Sequence, residues 1–293
     1  MVPERELVQS IRNDMLSERK TPSVAALCRA LGVARSSAYY EPRNAAPVRR
    51  LDKEVELLIY EIIQRFPMFG IRRVWAYLKY RMDVNVNRKK VWRIMKLRGW
   101  TMNKRRVGWR PRVDVSRSIA ERPDRRWATD IALAFCGETD GWCAFVPVLD
   151  CCTREVLGWE LSRTARAKTA ERALEAALIG RFGWVHGAPD DLVIRHDNGL
   201  VFGSKLYRGI VHEYGISQEY IKPYTPEENG LVERFIRSFK EECVWQNRFE
   251  NIEEARRVIG RWISWYNDER PHESLGYKSP VEYRKFLECG AAA

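Results

Sequence analysis

The sequence predicts an α/β layer built on a mixed five-stranded sheet with flanking helices, preceded by all-helical helix-turn-helix modules. Three observations lead there. Charge divides the chain: residues 1–126 carry 30 Lys and Arg against 13 Asp and Glu, while residues 127–293 carry 21 against 26. Apolar residues recur at helical spacing up to about residue 100, then alternate with period two from Trp127 onward. Finally, three strand-like runs in succession give way to alternating helices and strands, the order expected of a mixed sheet covered on both faces. With 293 residues and 45% hydrophobic content, the chain can bury a sizeable core.

Residues 4–17 read as a short helix. The stretch "TPSVAALCRALGVARSSAYY" then has helix-turn-helix grammar: a start at Thr21-Pro22, a turn at Leu31-Gly32-Val33, and a second helix presenting Arg35 and Ser36 to a groove. Residues 1–45 are assigned to this unit. A second helical DNA-binding module, 46–100, holds helices over 51–65, "GIRRVWAYLKYRM" and "NRKKVWRIMKLRGW". Val74, Tyr77, Leu78 and Met82, then Val91, Ile94, Met95 and Leu97, form its core stripes. Arg72, Arg73, Arg88, Lys89, Lys90 and Arg93 occupy the opposite faces, where a nearly all-positive surface suits phosphate contact. Residues 101–125 have two prolines, no apolar period and the run Lys104, Arg105, Arg106; they read as a basic linker that tracks a duplex.

Strands follow over 127–135, 142–150 and 155–161, then the helix "AKTAERALEAALIGRF", a strand at 192–195, a helix near 204–214, a strand near 216–221 and a long helix over about 227–244. Residues 126–245 form the core and 246–293 a helical tail. The first strand contains an anomaly. Trp127, Thr129, Ile131, Leu133 and Phe135 read as its buried face, yet Asp130 sits mid-strand, where a carboxylate needs a partner or a task.

Two further carboxylates stand out. Asp197 falls just past the strand "LVIR", at the carboxyl end of the sheet where ligands bind in open α/β folds, although an aspartate before Asn-Gly also commonly makes only a turn. In "TPEENGLVERFIRSFKEE", Val232, Phe235, Ile236 and Phe239 form the apolar stripe while Asn229, Glu233, Arg237 and Lys240 recur on an adjacent face. A Glu233–Arg237 helix pair is the plainer explanation. Three hard oxygen donors from separate segments nonetheless suit Mg²⁺ or Mn²⁺, and two such ions promote phosphoryl transfer.

Other chemistry is poorly supplied. The seven cysteines are odd in number and lack a C-x-x-C pair, which argues against a disulfide framework and a structural zinc site. There is no phosphate-binding G-x-x-x-x-G-K-[ST] loop, no apolar signal core at the start and no run long enough to cross a bilayer. A cytoplasmic protein with no membrane partner is expected.

The order Asp130, Asp197, Glu233, with 35 residues between the last two, resembles the DDE signature of retroviral-integrase-like transposases. "RWATDIA", "RHDNGLVF", "YTPEENGLVERFIRSFKEE" and "WYNDERPHESLGYKSPVEY" are similar to the second-reading-frame catalytic protein of the IS-three family of bacterial insertion sequences, as are "FGIRRVWAYLKY" and "VNRKKVWRIMKLRGW". The resemblance implies a ribonuclease-H-like core with Asp130, Asp197 and Glu233 as ligands of two Mg²⁺ or Mn²⁺ ions. It implies cleavage of element ends, then attack by a freed 3′-hydroxyl on a second phosphodiester. Lys240 resembles the basic position that holds DNA near the metals, with Arg237 and Lys222 as further contacts. Implied partners are double-stranded DNA (terminal repeats and target), further copies of the chain as a homodimer or higher oligomer, and an upstream-frame product as fusion or associate. A nucleoid-associated location follows. The four histidines all lie beyond residue 126, so the zinc module of viral integrases has no counterpart. A DNA-binding regulator on an inert scaffold and a nuclease that does not join strands are the competing readings. From the charge division, residues 1–126 alone are expected to bind DNA and residues 127–293 alone to fold.

Overall fold

The computed structural model describes residues 4–17, 22–39, 52–102, 119–183, 187–221 and 226–291. The chain divides into two compact units, residues 1–52 and 53–293. In the first, α1 (Glu4–Ser17), α2 (Val24–Leu31) and α3 (Arg35–Tyr39) enclose a small core of Val8, Leu27, Cys28 and Ala38. The Ser23 hydroxyl accepts from the Ala26 N–H at 3.2 Å and starts α2. Gly32 ends it at φ 64°, a left-handed conformation that strains a residue with a Cβ, and Val33 N–H donates to the Cys28 carbonyl at 3.0 Å.

The second unit begins with α4 (Lys53–Arg65), α5 (Ile71–Arg81) and α6 (Arg88–Leu97), packed around Ile59, Val74, Leu78, Val91, Ile94 and Met95. The sheet follows. β1 (Arg126–Thr129) and β2 (Ala132–Phe135) both pair antiparallel with β3 (Trp142–Asp150), Trp127 opposite Asp150 and Ala132 opposite Phe145. The register continues without a shift, so β1 and β2 are one strand line interrupted at Asp130 and Ile131. β4 (Val156–Ser162) is antiparallel to β3, β5 (Val193–His196) parallel to β1, and β6 (Ser217–Tyr220) parallel to β5. Six hydrogen-bonded strands therefore lie in five lines, the mixed sheet that the sequence predicts.

Helices cover both faces. α7 (Ala167–Phe182) and α8 (Lys205–Glu213) lie over Trp127, Val146, Val148 and Ile194. α9 (Gly230–Glu242) and α10 (Ile252–Asp268) lie over Ala132, Ala134, Phe145 and Leu149. β3 is buried at every position after Trp142 because neither face meets water. A Cβ on Gly158 would stand 2.5 Å from the Ala177 nitrogen, so this glycine lets α7 settle against β4. The last described helix is α11 (Pro280–Ala291), and among the described residues no helix is long and apolar enough to cross a membrane.

Three expectations change. The first strand is not buried on its odd-numbered face alone: Leu133 and Phe135 are exposed, while Ala128, Ala132 and Ala134 are sealed beneath helices. Small side chains there let α9 and α10 approach closely. Second, a boundary at 245 would cut the core, since Ile259, Trp262 and Tyr266 of the supposed tail close the sheet's second face. Third, a division at 126 does not follow the packing. Phe66 stacks on Trp265, Arg73 donates to Glu242 at 2.6 Å, and Arg81 pairs with Glu282 while its Nε donates to the Glu269 carbonyl at 3.0 Å. Helices α4–α6 are thus docked on the C-terminal helices by aromatic stacking and ion pairs, which a charge count cannot reveal.

Candidate active site

Asp130 interrupts the strand line instead of pairing within it. Its Oδ1 accepts from its own neighbour, the Ile131 N–H, at 2.8 Å, a local bond that competes with the sheet ladder. By the alternation of the pleat it shares a face with Ala128, Ala132 and Ala134, the face on which α9 packs. Its carboxyl is pushed up to about 6, first by burial and then by the negative charges of Asp197 and Glu233; the Ile131 N–H and the charge of Lys240 act the other way. Three carboxylates and one ammonium from three separate segments therefore feel one another where the adjacent strands β1 and β5 end.

Asp197 follows β5, which parallel pairing holds beside β1. Its Oδ1 accepts from Gly199 N–H at 3.0 Å, the turn geometry that Asp-Asn-Gly favours. His196 fixes the approach: buried, it stacks on Phe202 at 4.7 Å and meets Tyr207 and Tyr220 edge-on. Burial lowers its pKa, so the ring is neutral. One tautomer satisfies both contacts, with Nδ1–H donating to the Asp197 carbonyl (2.7 Å) and Nε2 accepting from the Gln218 amide (2.9 Å).

Glu233 and Arg237 are exposed on α9 and Lys240 is half-buried; Phe235 and Phe239 on the same helix enter the core. Asn229, buried just before α9, donates to the Thr129 carbonyl at 3.5 Å and so links the segment bearing Glu233 to the strand bearing Asp130. The sequence places Asn229 on a helix face but gives no sign of this link, because a contact spanning 100 residues leaves no local trace. Among the described residues no three His, Cys, Asp or Glu side chains stand close enough to hold a metal ion as they are.

The expected DNA contacts are scattered. Arg35 and Ser36 are exposed on α3. Arg88 and Lys89 are exposed in the first turn of α6, where the Asn87 side chain caps the Lys89 N–H at 2.8 Å, and Lys90 and Arg93 are half-buried. Arg72 is paired to Glu273 at 2.6 Å. Arg73 does not face outward: with Arg270 it clasps Glu242, whose side chain is only 6% exposed. Burial pushes the Glu242 carboxyl up, but hydrogen bonds and charge from Arg270 and Arg73 outweigh it and hold it below its ordinary value. The outward reading of Arg73 failed because helical periodicity cannot see a partner 169 residues away. Lys104, Arg105, Arg106 and Lys222 lie outside the described residues.

Away from the carboxylates, a cleft of about 720 Å³ lies between the start of α5, one side of α9 and the segment after α10. Arg154, Arg234, Arg270 and His272 line it, none of which the sequence singled out.

Two family models described as "Integrase core domain" match residues 120–226 and 214–280, together more than half of the chain. A model described as "HTH-like domain" matches residues 50–107, the second helical module and not the first. The transposase InsD for insertion element IS2A/D/F/H/I/K of Escherichia coli is 27% identical over 245 residues, covering 81% of this chain and 80% of that protein. The simian T-cell lymphotropic virus intasome is 16% identical with a TM-score of 0.47, covering 77% of this chain and 74% of that one. The HTLV-2 integrase catalytic core domain in complex with magnesium is 17% identical with a TM-score of 0.41, covering 56% and 98%.

Proposed function

The chain belongs to the integrase-core family and is a homologue of insertion-element transposases, and we propose that it cuts DNA at element ends and joins them to target DNA using Asp130, Asp197 and Glu233. One observation carries this reading: Asp130 and Asp197 follow the adjacent parallel strands β1 and β5, Asn229 ties the segment bearing Glu233 to β1, and the negative charges of Asp197 and Glu233 act on the buried Asp130 carboxyl. Mutual repulsion of that kind is a cost to the fold, and a cation placed among the three would remove it.

Divalent-metal dependence goes with the integrase core. The donor chemistry here, three carboxylates with no imidazole or thiolate among them, fits a hard cation such as Mg²⁺ or Mn²⁺. Two such ions, when bound, activate the attacking oxygen and stabilise the leaving one. The chain's own residues supply the rest. The Ile131 and Gly199 N–H groups orient Asp130 and Asp197. Neutral His196 holds the carbonyl of Asp197 without adding charge to the site. Glu233 completes the donor set from the exposed face of α9, and Lys240, within electrostatic reach of Asp130, is placed to hold a phosphodiester near it.

In the same reading Arg35, Ser36, Arg88, Lys89, Lys90, Arg93 and Arg237 contact duplex DNA, with Lys104, Arg105, Arg106 and Lys222 added on sequence grounds; Arg73 is set aside because it is bound to Glu242. Assembly on DNA as a homodimer or larger oligomer, association with an upstream-frame product and a cytoplasmic, nucleoid-associated place of work rest on the sequence resemblance. The test is incubation of the chain with a linear duplex bearing the element's ends and Mg²⁺. Nicked and joined products are expected from the wild type, and none from Glu233→Gln at equal DNA affinity. Cleavage by that variant above a few per cent of wild type would overturn the assignment.

A further inference from the structure

The cleft beside α9 carries more positive charge than its own carboxylates can neutralise. Arg72 is matched by Glu273, and Arg73 and Arg270 share the single carboxylate of Glu242. Glu241 is the other acid at the cleft wall. That leaves Arg154 and Arg234, and among the described residues neither has a carboxylate hydrogen-bonded or ion-paired to it. Five guanidiniums thus meet three carboxylates.

Arg154 is held there at some expense. It occupies φ 65°, where residues with a Cβ are disfavoured, in a turn fixed by the Asp150 carboxylate, which accepts from the backbone N–H groups of Asp124, Cys152 and Thr153. A glycine or asparagine would suit that turn better. Burial first lowers the Arg154 pKa; Tyr266 acts the other way, and the neighbouring charges of Arg270 and Arg234 add to the lowering. His272, buried nearby, has its pKa lowered by burial and by Arg270, Arg154 and Arg73. A neutral imidazole beside so many arginines adds no further repulsion and leaves the excess charge for a ligand.

We propose that this cleft, with Arg154 and Arg234 as its principal contacts, binds phosphodiester groups of a DNA strand outside the active site. Guanidinium is the side chain best matched to phosphate, through paired N–H donors in a plane. The hydroxyls of Ser274 and Tyr277, which also line the cleft, add further donors. Arg234 is the next residue after Glu233 on α9, so its side chain projects about 100° around the helix from the catalytic face. One strand can therefore be gripped in the cleft while another of its phosphates lies at the carboxylates. The assignment rests on the DNA reading above and gives it a second contact region.

The test is a salt titration of duplex affinity for the full chain in chelator, which keeps metal from bridging DNA to Asp130, Asp197 and Glu233. For Arg154→Asn with Arg234→Gln, loss of two phosphate contacts should flatten log Kd against log salt by about 1.8. Arg154→Lys with Arg234→Lys should restore the wild-type slope. Arg234 is exposed, so Arg234→Gln alone keeps the test valid if the double variant misfolds, with a change of about 0.9 expected. An unchanged slope overturns the proposal, and if wild type still cleaves element ends in Mg²⁺ the transposase reading survives that failure. A flattened slope in a chain that never cleaves DNA supports the cleft and counts against the catalytic reading instead. Inorganic phosphate provides the other arm: if it raises the melting temperature of wild type but not of the double variant, and the DNA slope is unchanged, the cleft takes free phosphate and the DNA assignment is wrong.

Discussion

The ring of Phe66, just past α4, stacks on that of Trp265 in α10, with centroids 4.9 Å apart and planes 23° apart. Together with Arg73–Glu242 and Arg81–Glu282, this pair makes the second helical module and the catalytic core one packed unit. Movement of α4–α6 is therefore tied to the helix that closes the sheet.

Trp265→Ala should loosen that union. Trp265 is half-buried, so the loss should be about 2 kcal/mol, below the range for a fully buried aromatic. Hydrogen exchange should accelerate across residues 53–97 more than across β3. Uniform acceleration throughout the unit would mean that the stacking stabilises the fold but not the docking.

Gly199→Ala tests the placement of Asp197 without touching a carboxylate. A Cβ at Gly199 would stand 2.8 Å from Asp197 Oδ1, so the side chain must move. A displacement near 1 Å should slow cleavage by about 100-fold while melting changes little, since a carboxylate at a turn can swing aside cheaply. Undiminished cleavage would remove Asp197 from the reacting geometry.

Asp130→Asn should stabilise the metal-free protein, with a defined pH dependence. Because the folded pKa is raised to about 6, the native state keeps a proton that the unfolded chain has already released between about pH 4 and 6. Its contribution thus turns unfavourable as pH rises through that window and stays so above it. In chelator at pH 7.5 the variant should gain on the order of 1 kcal/mol, a few degrees of melting temperature, discounted because the carboxyl is only partly shielded. At pH 4 the gain should vanish. A gain that is independent of pH would point to packing instead of charge.

Truncations should distinguish packing from charge. Removal of residues 1–52 should leave the melting of residues 53–293 within a few degrees of the full chain, since those residues form a compact unit. A fragment of residues 127–293 should be soluble only with difficulty, because it loses α4–α6 and uncovers Trp265 and the partners Glu242 and Glu282. A well-folded, monomeric 127–293 fragment would contradict this account.

Much of the candidate site was legible because its residues break local rules. Asp130 is out of place in a strand, Asp197 ends a buried strand before Asn-Gly, and Glu233 lies off its helix's apolar stripe; each anomaly is visible within ten residues. The helices and the five strand lines were legible for the same reason, as their periods are short. The interruption at Asp130 was not, because the alternation of side chains passes through it in register and only the missing ladder bonds mark it. Arg73 was misplaced on an outer face, since a period of 3.6 says which residues share a face but not what that face meets.

The sequence by itself determined the element order, the mixed sheet and the concentration of positive charge before residue 127, and it singled out the three candidate carboxylates, because periodicity, turn chemistry and composition are local or additive properties. Only the tertiary structure decided that α4–α6 dock on the C-terminal helices, that α10 closes the core, and that Arg154 and Arg234 face a cleft with too few acids. Those arrangements depend on contacts between residues far apart in the chain. Burial and pairing energies, not any pattern along the sequence, select them.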